Sequence, residues 1–590
     1  MTSFGDGAAN NDLGLSRRDV VTYGAAAAIA AGATPFGQAL AAFGAGTVSG
    51  TVYEHRFGSG RRQANDPGSP GVLAGIPGVL VSNGREVVKT DAAGRYTLPI
   101  DDESIVFVIK PAGYAVPVDD DMLPRFYYIH QPAGSPQTLN LRYRGLEPTG
   151  PLPDAVDFAL KKVDEPQKFD VLLFTDPQPE SAVEVDFIRD DVVSGVIGAK
   201  AAFGMTFGDI MFDDLSLYPR LNRIIGKIGL PWYNIGGNHD LNYEAPGAKY
   251  SRETFKRVFG PNYYAFEYGG ALFLMLDNVD YLGPDVARPR GAGKFEGRIG
   301  ERQLSFIANV LREFPADKLV VTGMHIPLRN YLDGNDPSTN TADRAEFLKL
   351  FAGRPNTLSL AGHTHTTEHH YLGADDGFGG SAPHHHHVLT AVSGSWWSGP
   401  YDHRGIAVAD SRDGSPNGFH ILSIDGSGYS TRFMPANEPS ARQMRIVLDS
   451  QFHRARKELY AEYRMGELLG SPLPRENAFA TDLIVNFFDG GPRTAVEYRI
   501  SERAPVKMAR VTRPDPFVEE VFARNEATKK PWVKAEPSSH IWSARLPGDL
   551  EAGTHCIAVR VIDEYGREHR DHLIVELTGA GEGTNKTRPG

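Results

Sequence analysis

LPWYNIGGNHD, Leu230–Asp240, is a short apolar run that breaks at Gly236-Gly237 and ends on an amide, an imidazole and a carboxylate. The run reads as a buried strand and the glycine pair as its exit. Asn and Asp bond readily to nearby backbone, and Gly accepts positive φ, so Asn238-His239-Asp240 suits a tight turn. The same three side chains also suit a metal ligand, a general acid and its orienting carboxylate. The stretch alone leaves both readings open.

Reading outward, the arrangement recurs. KFDVLLFTD (168–176), AAFGMTFGDI (201–210), KLVVTGMHIPL (318–328) and NTLSLAGHTH (356–365) are likewise apolar runs closing on polar loops. Between them, VDFIRDDVVSGVIG, LNRIIGKIG and GRIGERQLSFIANVLREFP carry helical spacing, and YYAFEYGGALFLMLDN reads as a β-hairpin. Strand–helix alternation predicts an α/β (α+β) fold. Polar motifs at the C-terminal ends of strands sit where open α/β sheets bind ligands. The strand ends carry Asp176 and Gln178, Asp209 and Asp213, Asn238-His239-Asp240, His325, and His363 with His365. Each is weak alone, since an Asp after a strand is usually a turn residue. Together they predict five metal-capable loops following five strands of one sheet.

This ordered set resembles the calcineurin-like metallophosphoesterases, whose pattern is D-x-H, G-D, G-N-H-D/E, H and G-H-x-H. The resemblance covers a domain at 166–430 and implies a β-sandwich core flanked by helices. It implies two divalent ions, Mn, Fe or Zn, and a phosphate-ester substrate, mono- or diester. Metal one falls to Asp176, Gln178, Asp209 and His365. Metal two falls to Asp209, Asn238, His325 and His363, with Asp209 as the bridge. His239 is then no ligand but the general acid beside the phosphate, and Asp240 the group that orients it and raises its pKa. The chemistry explains the residue types: anionic phosphate oxygens repel hydroxide, and two cations neutralise them while holding a hydroxide between them. The spacing of His363 and His365 sends both side chains the same way on a strand. Gln178 departs from the family's usual His. An amide oxygen is a harder, weaker donor than imidazole, which shifts the expectation for metal one toward manganese. A non-catalytic surface-binding protein with a degenerate phosphoesterase domain is the alternative.

The 590-residue chain is 41% hydrophobic and 23% charged, an ordinary globular balance, and such a length suits roughly two to four domains. A net charge of −12 argues against a broad nucleic-acid-binding face. The single cysteine, Cys556, excludes an intramolecular disulfide. Arg17-Arg18, an Ala/Gly-rich run and Ala39-Leu40-Ala41 resemble a twin-arginine export signal over residues 1–41, so a periplasmic or secreted protein is expected, with no transmembrane span in the mature chain.

Residues 46–145 read as a small all-β sandwich, with turns at Asn83-Gly84 and Ala93-Gly94. GVLVSNG and VVKTDAAGRYTL resemble transthyretin-like or carboxypeptidase-regulatory modules. The Pro-rich RGLEPTGPLPDAVDF reads as a linker. Short strands such as DLIVNFFDG and GTHCIAVRVIDEYG predict a second β-domain over 431–578, followed by a loose tail at 579–590. This three-part layout, with GSWWSGP (Gly394–Pro400) after the core, looks like the exported members of the family. Its β-domains are candidate contacts to the cell envelope or glycans. Trp396 and Trp397 suit core or ledge positions, with one of them a candidate for the cleft; Asp213 and Asp214 are expected behind the ligands or at a helix start, and His384–His387 in a solvated turn, with metal binding the lesser reading.

Overall fold

A strand buried on both faces alternates between two hydrophobic layers, and Lys168–Phe174 does so: Phe169, Val171 and Leu173 enter one core, Leu172 and Phe174 another. The structure, a computed structural model, describes residues 46–55, 72–285, 287, 293–436, 438–451 and 473–579. The expected export signal at 1–41 and the tail beyond 579 lie outside the described residues.

The central region is a sandwich of two sheets. The first runs in the order Trp232–Ile235, Phe203–Phe207, Lys168–Phe174, Gly418–Asp425, Gly428–Pro435; its first three strands are parallel and its last two form an antiparallel hairpin. The second runs Tyr264–Tyr268, Ala271–Met275, Val320–Gly323, Thr357–Ala361, His384–Val388, Glu368–Leu372. Their inner faces share one core, where the Phe203 ring meets Phe273 edge-on at 5.1 Å. Burying a side chain such as Phe203 stabilises the fold by about 1.5–3 kcal/mol. Helix Tyr218–Ile225 covers the outer face of the first sheet. Helix Glu301–Glu313 turns Phe306, Ile307, Val310 and Leu311 into the main core. No helix among the described residues is long and apolar enough to cross a membrane.

The five polar loops do not follow one sheet. Three leave the first sheet, after Phe174, Phe207 and Ile235, and two leave the second, after Gly323 and Ala361. They meet at the seam between the sheets.

Strand pairing also moves the expected boundaries. Phe158–Lys162, which begins at the last residue of the expected linker and lies beyond the expected sandwich, pairs in parallel with Gly46–His55 and completes a sheet of the N-terminal sandwich. The expected boundary at 430 cuts through Gly428–Pro435, a strand of the core sheet. In the C-terminal region, two sheets centred on Asp482–Phe487 and Gly553–Ile562 enclose a third core. It also holds a helix absent from the strand reading, Pro516–Arg524. The Asp515 side chain accepts from Phe517 N at 2.8 Å and Pro516 stands in the first turn, a start signal legible in the dipeptide itself.

His384–His387 form no solvated turn. They lie in an interior strand of the second sheet, each at most 5% exposed.

Candidate metal centre

The loops that leave the strands are forced into unusual backbone. Asp176, Gln178, Asp209, His363 and His365 all have positive φ, between 36° and 74°. Left-handed backbone is costly for residues with a Cβ, and its concentration here marks a functional site. It also corrects the account of His363 and His365: the strand ends at Ala361, so turn geometry, not strand alternation, aims them. Close approach explains Gly237 and Gly362. A Cβ on Gly237 would sit 2.1 Å from Asp209 Oδ1, and one on Gly362 would sit 1.7 Å from Thr175 Oγ1 and 2.3 Å from Asp176 Oδ2.

The residues expected at metal two converge. His325 Nε2 lies 3.0 Å from Asn238 Oδ1, 3.1 Å from His363 Nδ1 and 3.3 Å from Asp209 Oδ2. Backbone carbonyls take the other ring nitrogens: His325 Nδ1 bonds Phe207 O at 2.9 Å, and His363 Nε2 bonds Ser338 O at 3.0 Å. Each carbonyl can only accept, so each imidazole turns a lone pair inward. Lone pairs from two imidazoles, an amide and a carboxylate thus face one point, an arrangement that calls for a cation.

The residues expected at metal one converge more loosely. His365 Nε2 is 3.6 Å from Asp176 Oδ1, and Gln178 Nε2 donates to Asp209 Oδ2 at 2.7 Å. His365 Nδ1 donates to Gly394 O at 2.5 Å, which leaves Nε2 as the ligand atom. Two buried atoms of this group, Gln178 Oε1 and His365 Nε2, have no hydrogen-bond partner. Buried polar atoms are rarely left so, and both are atoms that would hold an ion.

Electrostatics agree. Without ions, burial pushes Asp176 up to about 7, and the Asp209 charge adds to the effect. Burial opposes charge on His325, but Asp209 outweighs it and raises His325 to about 9, so a proton stands where a cation would. Burial lowers His363 and His365 to about 3, so both stay in the neutral, ligating form.

His239 Nδ1 lies 2.7 Å from Asp213 Oδ1, which also accepts from Tyr243 OH at 2.6 Å. Burial works against its charge, but Asp209 and then Asp213 raise its pKa to about 9. The Phe212 ring stacks on it at 4.5 Å. Asp240 does not orient His239. Its carboxylate accepts from Gly237 N at 2.8 Å, Ile210 N at 3.0 Å, Met211 N at 3.2 Å and Tyr218 OH at 2.8 Å. It clasps two loops together and adds only a lesser electrostatic push to His239. Asp214 accepts from Ser216 N at 3.1 Å and starts the short helix Leu215–Leu217.

The site opens into a cleft of about 480 Å³ lined by Gln178, Asp209, Asn238, His239, His363 and His365. Trp396 also lines it and stacks on His365 at 3.9 Å, whereas Trp397 is buried in the outer core. Lys534 and Glu536 of the C-terminal region form part of the wall, with Glu536 paired to Arg412. Trp532 stacks on Phe212 at 5.5 Å. No motif announces this wall; its one trace in the sequence is the aromatic among cations in KKPWVK.

Comparison with known families decides the assignment. A model of the C-terminal part of calcineurin-like phosphoesterases matches residues 386–569, and a model of the N-terminal part of calcineurin-like phosphoesterases matches residues 71–146. The chain carries the N-terminal and C-terminal domains of a calcineurin-like phosphoesterase. As a phosphoesterase of this family it is a metal-dependent hydrolase of phosphate esters, and the family implies a dinuclear metal centre. The candidate metal-centre residues, Asp176 to His365, lie between the two matched spans, so their assignment rests on the geometry above. Among solved structures, a purple acid phosphatase from yellow lupin (Lupinus luteus) seeds is similar at 13% identity, over 61% of this chain and 67% of that one, with a TM-score of 0.33. No curated protein matches the phosphoesterase chain.

Proposed function

We propose that this phosphoesterase is exported and hydrolyses phosphate mono- or diesters, with His239 as the acid that protonates the leaving oxygen. The convergence of inward lone pairs on one cleft, with His239 beside them, carries this reading. Two bound divalent ions supply Lewis acidity toward the phosphate oxygens and make water nucleophilic near neutral pH. Asp176, Gln178, Asp209 and His365 would hold one ion, and Asp209, Asn238, His325 and His363 the other. Two carboxylates and an amide make the first set oxygen-rich, which favours a hard ion such as Mn²⁺ there. Asp213 fixes the His239 ring through Nδ1 and leaves Nε2 to face the ester. Lys534 and Trp396 at the cleft wall would meet the leaving group.

The test is a panel of p-nitrophenyl phosphate, bis(p-nitrophenyl) phosphate and nucleotides, each with added Mn²⁺, Zn²⁺ or Fe²⁺. Turnover of at least one ester class, lost in His239→Ala, is expected. No turnover of any substrate with any ion would sink the reading. Export rests on Arg17-Arg18 and Ala39-Leu40-Ala41. In a bacterial host the exported protein should begin at Ala42, and replacing both arginines by lysine should trap the chain inside. Intact Met1 on protein outside the cytoplasmic membrane would refute cleavage.

A further inference from the structure

The catalytic site leaves the histidine run His384–His387 unused. Strand alternation splits it into two faces. His384 and His386 bond Thr357, Ser359 and the Leu328 backbone, and are satisfied there. His385 and His387 face the other way. His387 stands directly across the antiparallel ladder from His369, and the two rings stack at 3.9 Å. His420 arrives from a strand of the first sheet and meets the His387 ring edge-on at 5.0 Å. Asp489 arrives from the C-terminal region, just beyond the strand Asp482–Phe487.

Three ring nitrogens close on one oxygen. The Nε2 atoms of His369, His387 and His420 lie 3.1, 3.1 and 3.3 Å from Asp489 Oδ1. All three imidazole side chains are fully buried and Asp489 is 5% exposed. Ligating atoms of His369, His387 and Asp489 lie within 4.8 Å of one another. Hydrogen bonding accounts for only part of the cluster: His369 Nε2 and His420 Nε2 are within hydrogen-bond geometry of Asp489 Oδ1, whereas His387 Nε2, though buried, has no hydrogen-bond partner. The outer nitrogens of His369 and His387 are engaged elsewhere. His369 Nδ1 lies 2.9 Å from His385 Nε2, His385 Nδ1 lies 3.0 Å from Tyr429 OH, and His387 Nδ1 lies 3.2 Å from Thr431 Oγ1. With Nδ1 as the donor in His369 and His387, their Nε2 lone pairs face a carboxylate oxygen, which repels unless a cation lies among them, while His420 Nδ1 has no partner. Four donors about 2.0–2.1 Å from a tetrahedral Zn²⁺ stand about 3.3 Å apart, close to the three separations seen.

We propose that His369, His387, His420 and Asp489 hold a third, structural Zn²⁺, which ties the C-terminal domain to both core sheets. None of the four lines the catalytic cleft, so the site is closed in the manner of structural rather than catalytic zinc.

Co²⁺ tests this directly, because tetrahedral Co²⁺ absorbs strongly in the visible and six-coordinate Co²⁺ weakly. The full chain carrying Asp209→Asn, which lacks the catalytic bridge, would be produced in minimal medium with Co²⁺ as the added metal. One retained ion per chain with intense visible bands is expected. Adding Asp489→Asn should remove the bands and weaken retention by about 100-fold, while far-UV circular dichroism reports folding. Should that double variant fail to fold, the single variant still decides. A folded Asp209→Asn chain without tightly held ion or intense bands would overturn the proposal. So would bands that persist unchanged in the folded double variant. Neither outcome bears on the ester-hydrolysis panel, since the two sites share no ligand.

Discussion

Asp213, not the adjacent Asp240, holds the His239 ring: Asp213 Oδ1 lies 2.7 Å from His239 Nδ1, while both Asp240 oxygens face backbone N–H groups and Tyr218. The two carboxylates therefore act on different things, one on the His239 ring and one on the loop.

Asp213→Asn should lower kcat by about 10–100-fold, the scale of lost supporting partners, and His239→Ala by about 10²–10⁴-fold. Both should retain two catalytic ions per chain, because neither side chain is a ligand. Parallel measurement of kcat and metal content checks this. Metal loss in His239→Ala would reassign the residue.

Asp240→Ala should act through stability. It leaves three buried N–H groups and a tyrosine hydroxyl without their acceptor, a loss of about 3 kcal/mol or more. Urea unfolding should show it well below the parent, with Asp213→Asn within about 1 kcal/mol. Equal stability of Asp240→Ala and the parent would refute the clasp.

Gln178→Ala should weaken metal one by about 10–100-fold or more, since buried Gln178 Oε1 is otherwise without a partner. Activity should fall on dilution into metal-free buffer and recover with Mn²⁺. Gln178→His supplies a nitrogen donor and should strengthen retention, most for zinc. Isothermal titration in which Gln178→Ala binds both ions as tightly as the parent would remove Gln178 from the ligand set.

Acid should destabilise the protein through the buried histidine strand. Burial lowers His384 from 6.5 to about 3. The unfolded chain therefore takes up a proton near pH 6.5 that the folded chain refuses until about pH 3. This contribution is fully present above pH 6.5 and declines as pH falls, by about 1.4 kcal/mol per pH unit. Unfolding free energies measured from pH 7.5 to 5 should show a shallower slope in His384→Gln. An unchanged slope would show that His384 titrates alike in both states.

Side-chain type and spacing reveal what is local. Apolar runs closing on Asp176, Asp209, Asn238, His325 and His363 mark strands with polar exits, because a buried strand must end where its backbone can turn and polar groups can meet solvent or ions. Gly237 signals close approach for the same reason. The ordered loops therefore point to the candidate metal-centre residues along the chain.

What the tertiary structure alone decides is non-local. Period-2 patterning tells which faces of a strand are buried but not which sheet it joins, so only packing divides the five loops three and two between facing sheets. His239 takes its partner from 26 residues away rather than from its neighbour, because the turn points Asp240 inward to the Ile210 and Met211 amides. A run of four histidines looks solvated by composition. It is interior because Thr357, Ser359, His369 and Tyr429, remote in the chain, arrive to bond it. Burying a polar strand is favourable only once such partners are in place, and that condition is met by the assembled fold rather than by any single stretch of sequence.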